Sequence, residues 1–319
     1  MKKWPLLLSV LLLGCYSTAL AQDSTRFRIT PHWETGDHFA YQLHKSTRLQ
    51  QMNTVVEDSV LARRAFHVLA QDEEGYTIRW EFTDGLSSLL YGAEELLPTS
   101  GIPQQTLDAA LYRTALSGEL AEVLNHQQLH KELTTQVVKA LGRMVEQGLL
   151  TEEEIMDRKE EIAALYRDSA IVETLTIKEL GVMHNPYAML LSTADTLKLD
   201  FRYPNLFADG MLNGEAFIVV SNYDPEAGRC SVSYKGRVNK EGIRDMLRSF
   251  LHSLDLADER LDQLIASGTV EVSTEVTSTY DLHKGIPLVV DFKTTFLISS
   301  VLLPYVALTE TCHLEKVAD

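Results

Sequence analysis

The clearest pattern in the chain is a two-residue alternation near its C-terminus. Val270, Val272, Thr274, Val276, Ser278, Tyr280 and Leu282 fall on one side of an extended segment, and Glu271, Ser273, Glu275, Thr277, Thr279 and Asp281 on the other. That period belongs to a strand with one buried face. Two further strands follow, Leu288 to Ser299 and Tyr305 to Val317, across short connections holding Gly285-Ile286-Pro287 and Pro304. Connections this short require antiparallel pairing. The N-terminal part reads alike, with strands at His38 to Gln50, Val55 to Ala70 and Tyr76 to Thr83, the last two joined by the polar turn Gln71-Asp72-Glu73-Glu74-Gly75. Tyr112 to Leu116 and Leu120 to Leu124 flank Ser117-Gly118-Glu119 as a hairpin. Leu197 to Tyr203, Ala216 to Ser221 and Arg229 to Val238 complete the set.

Between these strands the apolar period lengthens to that of helices. Asn125 with Gln128 has capping-box spacing, and Leu129, Leu133, Val137, Leu141 and Val145 follow on one stripe. Thr151 with Glu154 opens a second helix toward Arg167, its first turn crowded with glutamates that suit the helix dipole. A third runs from Ser169 to Leu180 and is expected to stop at Gly181, ahead of the Asn185-Pro186 pair. Ile243, Met246, Leu247, Phe250 and Leu254 mark a fourth, and a shorter helix reaches Ile265. Strands at both ends with helices between predict an α+β class: one curved antiparallel sheet, or two, with an inserted helical layer laid on it. The striped helices would cover the sheet like a lid and leave an acidic face in water.

The first 21 residues form a separate unit. Lys2 and Lys3 precede the apolar run Leu6 to Leu13, and Ala19-Leu20-Ala21 is an A-x-A cleavage site ahead of Gln22. The expectation is an exported protein, periplasmic or secreted, with residues 22–319 as a single large domain that could subdivide near Asn185. Leu12-Leu13-Gly14-Cys15 offers an alternative, a lipobox-like site at which Cys15 would be acylated and anchor the chain. The apolar run is too short for a retained transmembrane span.

The chain has 45 acidic and 29 basic residues in 319, a net formal charge of −16, and two of those basic residues leave with the leader. Nucleic acid and anionic lipid surfaces are bound through clustered Lys and Arg, so neither is an expected partner. Cys230 and Cys312 remain in a compartment that permits disulfides, both within alternating segments. Either they bridge two paired strands or they are separate buried thiols.

No catalytic signature stands out. His126 and His130 are four apart, with Glu122 one turn earlier, but polar residues at helical spacing suit a solvated face better than a metal site, and no H-E-x-x-H occurs. There is no G-x-S-x-G elbow, and carboxylate pairs cannot be resolved among so many acids. No catalytic, cofactor or metal residue is therefore assigned.

Scattered residues carry a resemblance. Gly36-Asp37 with Tyr41, Gly75-Tyr76-Thr77-Ile78 with Trp80, Gly118-Glu119-Leu120 leading to Asn125, Asn185-Pro186-Tyr187, and Tyr280-Asp281 with Gly285 and Pro287 resemble a group of uncharacterised exported proteins of Gram-negative bacteria. The resemblance implies an envelope location and no activity. A curved antiparallel sheet with helices on its concave side is also similar to the half-barrels of periplasmic lipoprotein carriers. The expectation is a non-catalytic envelope protein that encloses an apolar small molecule or lipid, or grips an envelope protein. The alternatives are a structural or assembly protein and an envelope hydrolase.

Overall fold

The computed structural model describes residues 25–82, 108–132, 178–205, 210–253, 268–299 and 305–318, with isolated positions between 135 and 151. Thirteen strands occur among them. The N-terminal run is β1 (Arg26–Phe27), β2 (His38–Gln51), β3 (Thr54–Gln71), β4 (Gly75–Phe82), β5 (Ala109–Ala115) and β6 (Leu120–Val123). A helical stretch at 126–132 and helix α1 (Lys178–His184) precede β7 (Leu191–Ser192), β8 (Leu197–Pro204), β9 (Met211–Asp224) and β10 (Arg229–Val238). Helix α2 (Lys240–Ser253) then leads into β11 (Thr269–Asp281), β12 (Ile286–Ser299) and β13 (Val306–Lys316).

Eleven strands make one sheet in the order β6-β5-β4-β3-β2-β13-β12-β11-β10-β9-β8, while β1 and β7 pair separately. Every pairing is antiparallel. Two meanders are therefore joined along one seam, where β2 pairs with β13 from Tyr41–Lys316 to Gln51–Val306. Four register shifts interrupt the ladders, at Val68/Ala70, Arg113/Thr114, Ser231/Val232 and Thr279/Tyr280. Such bulges bend and twist the strands they interrupt.

The expected α+β class is overturned. Strand makes up 62% of the described residues and helix 14%, so the molecule is a β-protein with helices as attachments. The alternation underestimated the strands: β3 is 18 residues long, and β9 starts at Met211 rather than Ala216. The expected helix from Thr151 and the one reaching Ile265 lie outside the described residues, as do the leader and Cys15. Asn125 does not cap with its side chain. Its amide instead copies a strand neighbour, accepting from Leu111 N at 2.9 Å and donating to Ala109 O at 3.0 Å.

The core lies against the concave face and is held by aromatic side chains and α1. Tyr41, Leu43, Phe66, Ile78, Trp80, Tyr112, Tyr280 and Leu314 are buried there. Helix α1 runs through Gly181 rather than stopping at it, and ends where Asn185 N donates to Gly181 O at 3.0 Å, just before Pro186. Its C-terminal end and the turn after it are pinned to the C-terminal meander. Tyr280 donates to Met183 O at 2.9 Å, and Tyr187 donates to Gly285 O at 2.6 Å. Trp33 packs edge-on against Phe66, Tyr76, His184 and Tyr187.

A buried ion pair ties the other end of α1 to β3. Arg64 Nε stands 3.7 Å from Glu179 Oε2, with side chains 0% and 6% exposed, and the guanidinium lies over the Phe82 ring at 5.3 Å. Helix α2 covers a separate patch. Asn239 Oδ1 caps it by accepting from Gly242 N at 2.9 Å, and Met246, Leu247 and Leu251 close over Leu212, Val238, Val272 and Ile298.

Candidate functional site: a cavity between the sheet edges

A cavity of about 420 Å³ opens beside α1. Strands β9, β10 and β11 supply its floor through Ile218, Val232 and Val276, all buried. Their register explains the shared surface: Tyr234 faces Ile218 on one side and Val276 on the other, so alternate residues of three strands point into one space. Val182 and Pro186 close it from α1 and the turn after it. Edge strand β8 forms one wall with Phe201 and Tyr203. Leu120, from the opposite edge strand β6, reaches the same cavity. The sheet is therefore curved enough to bring its two edges onto one site.

Two interior glycines make the floor flat. A Cβ at Gly214 would lie 2.8 Å from Phe201 Cδ1, and one at Gly236 would lie 2.9 Å from Phe201 Cδ2. The Phe201 ring thus rests on bare backbone of β9 and β10, a close approach that any larger residue would block. Tyr234 meets the same ring edge-on at 6.3 Å.

The polar groups of the site are few. Thr274 and Ser278 are buried in the floor, while Asp200 and Arg202 are exposed at the rim. Burial raises the Tyr234 phenol well above its ordinary range. Tyr203 is pushed up to about 12 by burial, with the charge of Glu310 on β13 adding to it. Both phenols therefore stay neutral near pH 7. A mostly apolar floor with a few neutral hydroxyls suits an apolar ligand with a modest polar end.

The remaining predicted residues lie elsewhere. Of the two arrangements open to Cys230 and Cys312, the structure has separate buried thiols. Their strands, β10 and β13, have β11 and β12 between them, which separates the two by about 14 Å across the sheet. They are also out of line: Cys230 faces Tyr280, whereas the ladder from Cys312 runs through Phe292 and Val276 to Tyr234. A disulfide spans no more than about 7 Å between Cα atoms. Burial pushes the Cys230 thiol up to about 12 and raises Cys312 further, so neither is a thiolate at neutral pH. The His126 ring lies 3.2 Å from Val123 O, and no group of three His, Cys, Asp or Glu side chains gathers for a metal ion among the described residues.

Sequence reasoning found the strands that line the cavity but not the cavity. The one signal available was Gly214 and Gly236 within alternating runs, since an interior strand glycine marks close approach of another group.

No family model matches the chain, and no curated protein does. Among solved structures it is similar to one described for lipid–protein interactions in lipovitellin, at a TM-score of 0.47 and 7% identity over 90% of this chain and 26% of that one. The chain thus spans about a quarter of that protein's length, and at this score the likeness carries neither fold nor function across. No helix among the described residues is long and apolar enough to cross a membrane.

Proposed function

We propose that the protein is a non-catalytic carrier that holds an apolar ligand, a lipid or small apolar molecule, between β8, α1 and the floor of β9 to β11. The observation that carries this reading is the cavity: its volume falls in the range of small-molecule sites, its aliphatic floor is buried, and its aromatic walls are half-buried. The leader at residues 1–21 supports an envelope location, periplasmic or secreted. His184, the buried histidine of the core, uses both ring nitrogens within the fold and does not line the cavity.

Native mass spectrometry of protein purified from its own host tests the proposal. The expected result is a bound lipid-sized mass that leaves when the protein is unfolded. Ligand-free protein that also takes up no fluorescent fatty acid would overturn it.

The edge of β8 favours a second reading. Among the described residues β8 pairs only with β9, so its outer edge offers a ladder on which a protein partner could add a strand. Capture of a specific envelope protein, abolished by Leu199→Pro and insensitive to filling the cavity, would favour an assembly role instead.

A further inference from the structure

Of the twelve exposed large apolar side chains among the described residues, six gather at one end of the sheet: Leu49, Met52, Val55, Val56, Tyr305 and Leu308. They occupy adjacent ends of β2, β3 and β13, with Leu308, Leu49 and Val56 in one row across three strands. Met52 N donates to Tyr305 O at 2.9 Å and fixes the two ends together.

This end carries exposed apolar side chains on both faces, among the polar Gln50, Gln51, Asn53 and Thr54. Val55 and Val56 are successive residues of β3, so they point to opposite sides of the sheet, yet they are 45% and 40% exposed. Lower on β2 the convex face is polar, with Gln42, His44, Ser46 and Arg48. A protein partner or a second copy seated on one face would leave the other face wet. An apolar medium that surrounds the tip would cover both.

The apex itself is shaped against conformational preference. Gln51 pairs with Thr54, so Met52 and Asn53 form a two-residue turn, and Met52 holds φ 51°. Glycine is the default at a positive φ in such a turn, and a methionine there is strained. That methionine is also the most exposed of the six apolar side chains, at 59%. An unfavourable backbone thus presents an apolar side chain to the outside.

Charge narrows the medium. Arg48 and Glu57 face each other at the base of the tip and pair at 3.3 Å, and Lys45 pairs with Glu310 at 3.0 Å. These pairs leave no basic excess to hold anionic headgroups. Tyr305 has the amphipathic ring found at membrane interfaces. We propose that this end of the sheet inserts into the interface of a neutral, zwitterionic bilayer. The proposal stands apart from the cavity reading, because binding to the bilayer needs no ligand in the cavity.

Flotation of the full chain with pure phosphatidylcholine vesicles tests it. The protein should float with the vesicles, at a level that added phosphatidylglycerol does not raise and high salt does not lower. Met52→Gly relieves the turn, so it should melt no lower than wild type, yet together with Val56→Ser it should weaken partition by about tenfold or more. Wild-type protein that stays with the soluble fraction overturns the proposal, as does a variant that floats equally well. A lower melting temperature for Met52→Gly alone would overturn it too, by showing the tip packed on another part of the chain. So would a wild-type dimer in solution that the double variant dissolves.

Discussion

The Tyr112 hydroxyl stands 3.0 Å from Nε2 of His184, while Nδ1 of the same ring lies 2.7 Å from Gly118 O. A carbonyl oxygen only accepts, so Nδ1 carries the proton and Nε2 accepts from the phenol. The ring is neutral and fully occupied. Burial lowers its pKa to about 4, against a weaker upward pull from the Gly118 carbonyl.

This depressed pKa makes the fold acid-sensitive. The unfolded chain takes up the histidine proton near pH 6.5, the folded one only near pH 4, so between these values the unfolded state binds more protons. Stability from His184 is full above pH 6.5 and falls by about 3 kcal/mol as pH drops to 4. His313 acts in the opposite sense, because Asp291 raises its pKa, but it is solvent-accessible and contributes little. Urea denaturation at a series of pH values should show the loss, and His184→Gln should flatten it. An unchanged slope in that variant would show that another group titrates.

Arg64 and Glu179 should behave as a coupled pair. Glu179→Leu alone removes the carboxylate 3.7 Å from a buried guanidinium and should cost about 3 to 5 kcal/mol. Arg64→Met combined with Glu179→Leu should recover most of that loss, since an apolar pair of similar volume needs no compensation. Equilibrium unfolding of the two single variants and the double closes the cycle. Additive losses would mean that the two charges do not depend on each other.

Filling the cavity separates ligand binding from folding. Val232→Phe points a larger ring into open space and should keep the melting temperature within a few degrees while abolishing any bound lipid. Retention of the lipid by a folded Val232→Phe protein would place the ligand elsewhere.

The two faces of β11 differ in tolerance. Val272→Asp buries an unpaired charge beneath α2 and should cost about 3 kcal/mol or more, whereas Thr277→Lys on the outer face should stay within about 0.5 kcal/mol of wild type. Similar thermal shifts for both would contradict the face assignment.

What could be read from the chain was local. The alternation from Val270 to Leu282 fixed the buried face of β11, and the spacing of Ile243, Met246 and Leu247 fixed the stripe of α2, because each pattern reflects one element against one core. Gly181 has the place of a helix stop in the sequence, since glycine commonly follows the last periodic residue, but no atom lies near its missing side chain, and tertiary contacts at Met183 and Tyr187 carry the helix through. Strand neighbours were the hidden part. Cys230 and Cys312 each sit in a recognisable strand, yet only the pairing order reveals two strands between them. The cavity was hidden for the same reason, since Leu120 and Phe201 reach one space through curvature summed over the whole sheet.

The seam between β2 and β13 also governs how the chain reaches this state. Tyr41 must find Lys316, with nearly the whole sequence looped between them, before the sheet is continuous. Each meander can form from neighbouring residues, but until the C-terminal strand is available both carry a long unpaired edge at the middle of the future sheet. Contacts of such sequence separation form slowly, and the waiting edges are where two immature chains would join wrongly. Removal of β13 therefore strips the ladder partner from both halves at once, so this strand acts as the closing step of assembly.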